Sequence, residues 1–490
     1  MTDSRPATHE NSYRNVLKNT SLFGGFKMFE ILINMVRGKF VAIILGPAGM
    51  GISALYTTTW QSINRVASLG LNLAVVKEVS ASRDDRERLE NVVATARRMM
   101  FAAAMFGALV TVLAAPWLSE LAFGSASYKW WFVLLGAAVF FQIAGTGEIS
   151  MLQGLRDKRR LVRASFVGSA VGLAVGVPLY WLWGTDGIVP ALVLWTFCTF
   201  SFAAFSMRRS MGTSAIRYMW RDNRPLVRKL LLTGLVLMSN DAIGSICSLL
   251  TNAFLRLTGS LEDVGFFQAA NSMTIQYAGV VFTTLTLDYL PRLVSVADDN
   301  RMLRTVVNRQ AEIMSWLMLP LASLLVLFAP LVVHLLLASS FMAIVPMLRL
   351  MAVALIFRAM GAPLAYIAFA RDNRRLFFWL EGVGGNLLTL VLSCGMYMAF
   401  GLIGLGVAML ADNLICFVVY YAVNRRVYRF RFSAAALRAN AAATATGALV
   451  LAASYVPDAT AAYALMGLFT LSGGVLALLR LKRLWGRDAA

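Results

Sequence analysis

The chain has 490 residues, 59% hydrophobic and only 14% charged, with a mean hydropathy of +0.67. A soluble protein carries roughly 25% charged residues, so a soluble globular fold is excluded and a polytopic membrane protein is expected. The net charge of +20 does not indicate a nucleic-acid partner, because the basic residues lie in short breaks between apolar runs.

Taken in order, the chain opens with a polar tail. It has neither the compact apolar core nor the small-residue cleavage site of a signal peptide, so the first span is expected to direct its own insertion. Apolar runs then follow at 20–45, 50–70, 99–118, 130–153, 164–183, 187–207, 230–255, 266–290, 313–336, 346–369, 377–399, 402–424, 440–456 and 461–479. Each is near the length of a bilayer crossing, which predicts about fourteen transmembrane helices. Every second break is basic: Arg83, Arg86 and Arg88; Arg208 and Arg209 through Lys229; Arg425, Arg426, Arg429 and Arg431. Alternate breaks such as GTDG at 184–187 and VPDA at 456–459 lack Lys and Arg. By the positive-inside rule the basic breaks and both termini are cytoplasmic.

Two segments reveal an internal repeat. GLRDKRRLVRA at 154–164 follows the fourth span, and FARDNRRLFFW at 369–379 follows the tenth. GTDGIVPALVL at 184–194 pairs likewise with GLIGLGVAMLA at 401–411, and GPAGMGISAL at 46–55 with GSLEDVGFFQAA at 259–270. The expected organisation is a six-helix lobe at 1–210, a cytoplasmic linker at 211–229, a second six-helix lobe at 230–425, and an added helix pair with a tail at 426–490. Six spans per half insert both halves with the same orientation, giving parallel repeats of the kind found in secondary transporters. The basic hexapeptides are expected to be cytoplasmic turns able to meet anionic membrane lipids.

An ionisable side chain at mid-bilayer costs at least about 2.5–3.5 kcal/mol, so it faces a cavity or a partner. In the first span Lys27, Glu30, Asn34 and Arg37 recur at helical spacing on one face. Either Lys27 and Glu30 form an internal pair, or the stripe faces a wet cavity, which is the preferred reading. The second span carries Thr57, Gln61, Asn64, Arg65 and Ser68. Arg65 either pairs with Glu30 or holds an anion, since its planar fork of donors suits phosphate oxygens. In the fourth span Glu148 is expected to pair with Arg156 or Lys158 at the membrane edge. The second half presents Asn240, Asp241, Ser245, Ser248, Asn252 and Arg256, then Gln268, Asn271, Ser272, Gln276 and Asp288. Arg358, Glu381 and Asp412–Asn413 complete the embedded set. At the repeat offset Asp241 corresponds to Lys27. For each acid, structural hydrogen bonding and proton or sodium coupling both remain open.

Cys198, Cys247, Cys394 and Cys416 lie inside spans with no CxxC pair, so they are read as small core residues. With only His9 and His334 as histidines, a His-based metal centre is not expected. Short outer breaks, and the lack of a phosphate-binding loop or nucleophile signature, argue against an enzyme; no cofactor is expected beyond a coupling proton or sodium ion.

The stretch KNTSLFGG followed by KFVAIILGPAGMGISALYTT resembles the opening of bacterial polysaccharide-export flippases of the O-antigen (Wzx-like) type. These belong to the multidrug/oligosaccharidyl-lipid/polysaccharide (MOP) exporter superfamily. The basic turn QGLRDKRRLVRA and the glycine-led start of the sixth span extend the similarity. The resemblance implies an all-α fold of two six-helix lobes, plus two C-terminal helices here, in the bacterial inner membrane. It also implies an undecaprenyl-diphosphate-linked oligosaccharide as substrate, with other surface-polysaccharide assembly proteins as candidate partners. A desolvated diphosphate needs compensating cations. Lys27, Arg37, Arg65 and Arg358 are the candidates, with Asn34, Gln61 and Asn64 as polar neighbours. Glu30, Asn240, Asp241, Asp288 and Asp412 form the candidate coupling or cavity set. The alternatives are a cation-coupled drug exporter, which the second-half acids keep open, and a membrane-embedded glycan transferase.

Overall fold

The computed structural model describes residues 9–211, 223–276, 279, 282 and 289–488. Side chains are described from Ile33 onward, with short gaps that include Lys158, Ser239, Asn240 and Gln276. No strand occurs among the described residues. Nine helical stretches among them are long and apolar enough to cross a membrane. Two of these, Arg159–Met211 and Arg374–Val427, run to 53 and 54 residues, more than twice the roughly 20 residues that one crossing needs. The protein is an all-α, multi-pass membrane protein.

The first helix, α1 (His9–Ala67), contains both predicted opening spans and breaks at Gly46. There φ is 66° and ψ is −170°, a conformation essentially confined to glycine. Pro47 then occupies the first turn of the new segment, where a missing N–H is harmless. After α2 (Leu71–Ala81), α3 (Arg86–Leu113) and α4 (Ala115–Phe123) come α5 (Lys129–Gly154), α6 (Lys158–Trp183) and α7 (Ile188–Met211). Gly184, between α6 and α7, has φ 57° and ψ −131°. The second half holds α8 (Arg224–Thr258), α9 (Leu261–Asn271), α10 (Asn300–Leu327), α11 (Ala329–Leu336) and α12 (Val345–Ala370). The short α13 (Arg374–Phe377) continues through π-helical turns at Phe378–Gly385 into α14 (Asn386–Val427). Gly401 breaks α14 with φ 61° and ψ −142°, close to the conformation of its repeat partner Gly184. The chain closes with α15 (Ala434–Ala453) and α16 (Ala459–Asp488).

The two basic hexapeptides build the same turn. Arg156 (φ 58°) and Asp372 (φ 53°) each take the left-handed conformation that ends a helix. Asp157 N–H donates to Leu152 O at 3.2 Å and Arg156 N–H to Gln153 O at 3.0 Å. In the second copy Asn373 N–H donates to Ala368 O at 3.0 Å and Asp372 N–H to Phe369 O at 3.1 Å. Both are Schellman motifs, which satisfy the last carbonyls of α5 and α12. Asp157 and Asn373 then cap the next helix by accepting from the backbone N–H of Arg160 and Leu376. The turn therefore equates Arg156 with Asp372 and Asp157 with Asn373, one residue away from the alignment that matches RDKRRL to RDNRRL. Hydrogen bonding requires a short oxygen acceptor at the cap, and that requirement sets the register rather than letter identity.

By Cα clustering the chain forms two compact units. The first comprises residues 1–44, 63–121 and 125–238. Within it α5 packs against α3 and α7, and α6 against α7. Small residues let helices approach: a Cβ on Gly145 would lie 3.2 Å from the Phe200 backbone, and one on Gly154 would lie 2.7 Å from Val79. Such close approach is the usual basis of helix association in lipid. Glu148, 2% exposed, pairs with Arg97 of α3 through two bonds of 2.7 and 2.8 Å, rather than with Arg156 as expected; the side chain of Lys158, the other expected partner, lies outside the described residues. Arg156 lies past the end of α5 in the Schellman turn, whereas Arg97 comes from the neighbouring helix. Removing one side of a buried pair strands the other charge, at about 3–5 kcal/mol. Arg97→Ala should lower the thermal unfolding midpoint of the purified protein markedly, and Arg97→Lys should lower it less.

The second unit comprises residues 45–62, 122–124 and 239–490. Its centre is α12, with Leu348, Met351, Ile356 and Leu364 at 0% exposure, packed against α14, α10 and α15. The added pair α15–α16 is part of this core. Ala439, Ala443 and Ala477 pack on Trp316 and Leu319, and Ser315 Oγ donates to Asn440 Oδ1 at 2.7 Å. The glycine-led segments paired in the sequence meet here. A Cβ on Gly51 would lie 1.9 Å from Leu261 O, and one on Gly265 would lie 1.9 Å from Pro47 O. Residues 47 and 51 are each 214 positions before 261 and 265, so the contact is reciprocal, as across a two-fold axis. Alongside it, Ser62 Oγ donates to Ser245 O at 2.9 Å and Asn252 Nδ2 to Thr58 Oγ1 at 3.4 Å.

Candidate functional site

Among the described residues, each unit brings together embedded polar groups that are candidates for function. In the first, Arg37 of α1 is held by two aromatic residues that the sequence did not single out. Its Nη2 donates to the Tyr180 hydroxyl at 3.3 Å, and its guanidinium carbon lies 5.0 Å from the Trp195 ring centroid. Tyr180 (α6) is 1% exposed, so the hydroxyl is a fixed anchor. Trp195 (α7) offers its π face, which attracts a cation. These contacts set the plane of the guanidinium. Asn34, one turn earlier on the same face, is exposed. Aromatic residues are common in all these spans, and nothing in their spacing marks Tyr180 or Trp195.

The side chains of Lys27 and Glu30 lie outside the described residues, as does any Glu30–Arg65 pairing. Arg65 and Gln61 are exposed. Asn64 is half-buried, with its Oδ1 lacking a hydrogen-bond partner. The stripe of the second predicted span thus offers a buried acceptor between two exposed polar side chains.

In the second unit a cavity of 420 Å³ opens between α9, α12 and α14. Its polar lining includes Asn271, Arg358, Glu381, Thr389, Asp412 and Tyr420. Thr389 Oγ1 donates to Asp412 Oδ2 at 3.1 Å, and Tyr420 shares a hydrogen bond with Glu381. Arg358 acts electrostatically on both carboxylates, with its guanidinium carbon 5.5 Å from the Phe282 ring centroid. Glu381 sits on the π-helical turns, where the usual i→i−4 ladder is interrupted. Asn386 compensates by donating from Nδ2 to the carbonyls of Glu381 at 3.2 Å and Gly382 at 2.7 Å. One cation facing two carboxylates leaves a formal negative charge in the cavity when all three are ionised, which suits a proton or a monovalent cation.

Arg358, grouped in the sequence with Lys27, Arg37 and Arg65 as a candidate for the diphosphate or its cavity, lines this cavity together with Glu381 and Asp412. Asp412 is brought together with Glu381, a grouping that positions 31 residues apart do not reveal. Asp241 is exposed on α8, its carbonyl accepting from Ser245 Oγ at 2.9 Å, and it does not line this cavity. The side chain of Asn240 and all of Asp288 lie outside the described residues.

Comparison with known proteins adds the lineage. Residues 40–346 match the family model described as "Polysaccharide biosynthesis protein". The chain is 25% identical over 401 residues to the Lipid III flippase of Escherichia coli (strain K12), covering 80% of this chain and 93% of that protein. Among solved structures, the lipid II flippase MurJ in an inward closed conformation superposes with a TM-score of 0.68 at 13% identity, covering 96% of this chain and 99% of that one. An inward-facing multidrug resistance MATE family transporter of the MOP superfamily gives a TM-score of 0.69 at 17% identity, covering 82% and 94%. The fold is like that of these MATE and MurJ transporters, and the family match over residues 40–346, more than half of the chain, places it: it belongs to the family described as "Polysaccharide biosynthesis protein".

Proposed function

We propose that the protein is a flippase that moves an undecaprenyl-diphosphate-linked oligosaccharide, an O-antigen or related surface-glycan unit, across the bacterial inner membrane by alternating access. The observation that carries this reading is the similarity to the Lipid III flippase across 93% of that protein's length. Arg37 supports it chemically. A guanidinium held by Tyr180 and Trp195 presents its remaining donors in a fixed plane, and such a fork fits the oxygens of a diphosphate. The basic breaks support an orientation with both termini in the cytoplasm.

Coupling to a proton or sodium gradient is assigned to the Glu381–Asp412–Arg358 cavity. Cation binding there would compensate the second carboxylate and so favour one conformation over another. The same cavity, with the MATE-like fold, supports a second reading as a cation-coupled multidrug exporter.

Analysis of lipid-linked intermediates in a deletion strain separates the two. The flippase reading predicts accumulation of an undecaprenyl-linked oligosaccharide facing the cytoplasm, reversed by the intact gene. Unchanged lipid-linked sugars with heightened drug sensitivity would favour the exporter. On the coupling assignment, Asp412→Asn should remove the dependence of transport on an imposed ion gradient. A full gradient response in that variant would take Asp412 out of the role.

A further inference from the structure

A groove of 730 Å³ on the first unit lies between α3 and the first three turns of α8, separate from both sites above. Arg98 of α3 and Arg224 and Arg228 of α8 line one end. Beyond them the wall is apolar, with Ala102 facing Leu231, Leu232 and Leu235. The pattern follows from helical spacing. Residues 224, 228, 231 and 235 recur every three or four positions and share one face of α8. That face is cationic for its first turn and aliphatic afterwards. Leu232 and Leu235 are 55% and 44% exposed, so the groove opens sideways.

The wall is fixed in place by contacts on other faces of α8. Glu78 of α2, 6% exposed, accepts from Lys229 Nζ at 2.6 Å and pairs with Arg88 at 3.5 Å. Five residues on, Gly234 meets the turn before α2: a Cβ there would lie 2.3 Å from Leu69 O, and one on Gly70 would lie 2.1 Å from Gly234 O. Asn223 caps the helix by accepting from Leu226 N–H at 3.3 Å. The groove is therefore bounded by a helix held at its cap, at Lys229 and at Gly234.

We propose that this groove is a docking site for an anionic diacyl phospholipid of the cytoplasmic leaflet. The phosphate would lie among Arg98, Arg224 and Arg228, with an acyl chain along Ala102, Leu231, Leu232 and Leu235. Charge complementarity selects an anionic head, since cations near the membrane surface attract acidic lipids. Length selects a phospholipid. From Arg224 to Leu235 the helix rises about 16 Å, the depth of one leaflet of a roughly 30 Å hydrocarbon core. A polyisoprenyl tail of tens of carbons would overrun it. Because α8 passes from the first unit into the second at Ser239, a lipid seated here steadies the stretch just before that junction. The inference needs only the membrane-spanning reading and its orientation, not the identity of the cargo.

The test is native mass spectrometry of the purified, delipidated full-length protein titrated separately with phosphatidylglycerol and phosphatidylcholine. The wild type should retain phosphatidylglycerol at about tenfold lower concentration than phosphatidylcholine. The triple variant Arg98→Ala, Arg224→Ala, Arg228→Ala should lose that preference. Ala102→Trp, which fills the groove without altering charge, should lose it too, and it decides the matter with Arg228→Ala if the triple variant does not fold. Arg480→Ala on α16 should leave the preference intact. Unchanged phosphatidylglycerol retention in the folded groove variants would overturn the proposal. So would undecaprenyl phosphate displacing phosphatidylglycerol from these arginines at lower concentration, which would make the occupant a polyprenyl lipid.

Discussion

Arg37→Ala should abolish export of the lipid-linked glycan while leaving the protein inserted and abundant. The guanidinium is held by the Tyr180 hydroxyl at 3.3 Å and lies over Trp195 at 5.0 Å, so its rotamer entropy is already lost before substrate arrives. Truncating one partner of a desolvated, hydrogen-bonded charge pair costs about 2–5 kcal/mol, a loss of roughly thirtyfold to several thousandfold. Arg37→Lys keeps the charge but loses the planar fork and should retain only a minor fraction of activity. Tyr180→Phe should fall between wild type and Arg37→Ala, because it frees the guanidinium without removing it. Complementation of a deletion strain, with surface glycan measured against protein abundance, checks the series. Full complementation by Arg37→Ala would remove this residue from substrate binding.

Gly51→Val and Gly265→Val should each reduce transport strongly, and by similar amounts. At both positions a Cβ would lie 1.9 Å from a carbonyl oxygen of the facing segment, so the backbones must separate by more than an ångström. Overpacking of this kind typically costs about 1–3 kcal/mol and can cost more where backbone meets backbone. The hydrogen bonds Ser62–Ser245 and Asn252–Thr58 lie in the same pairing and would be strained with it. Alternating access requires such contacts to form and part with little difference in free energy, and a penalty of this size biases the equilibrium by about tenfold or more. Gly38, with nothing within 4 Å of its Cβ position, provides the control: Gly38→Ala should transport normally. Transport assays on variants matched for expression test both claims. Equal activity of Gly51→Val and wild type would show that the close contact is dispensable.

The architecture was legible because lipid leaves few options. Apolar runs, basic breaks and glycine turns must recur in any helical membrane protein, and here they recur in two copies. Gly184 and Gly401 align in sequence and share a backbone conformation. Gly51 and Gly265, set 214 residues apart, meet each other. The hexapeptides pointed to the repeat, but their register was one residue off, since a Schellman turn and its cap depend on geometry at Arg156 and Asp372 rather than on matching letters. The sites were less legible. Arg37 stood out as an embedded cation, yet its anchors Tyr180 and Trp195 are ordinary aromatic residues more than 140 positions away. Glu148 looked toward basic residues near in sequence and found Arg97 across a helix interface. Glu381 and Asp412 converge only because α14 and the π-helical turns before it bring them to one cavity, where Arg358 joins them.

Reconstitution tests flippase function most directly. Proteoliposomes carrying an undecaprenyl-diphosphate oligosaccharide in one leaflet, probed by a membrane-impermeant glycan-modifying reagent on the opposite side, report translocation in real time. Wild-type protein should expose the glycan at a rate that rises with an imposed proton or sodium gradient, and Arg37→Ala should remain at the level of protein-free vesicles. Exposure no faster than in protein-free vesicles, with the protein folded and correctly inserted, would contradict a lipid-linked oligosaccharide as the cargo.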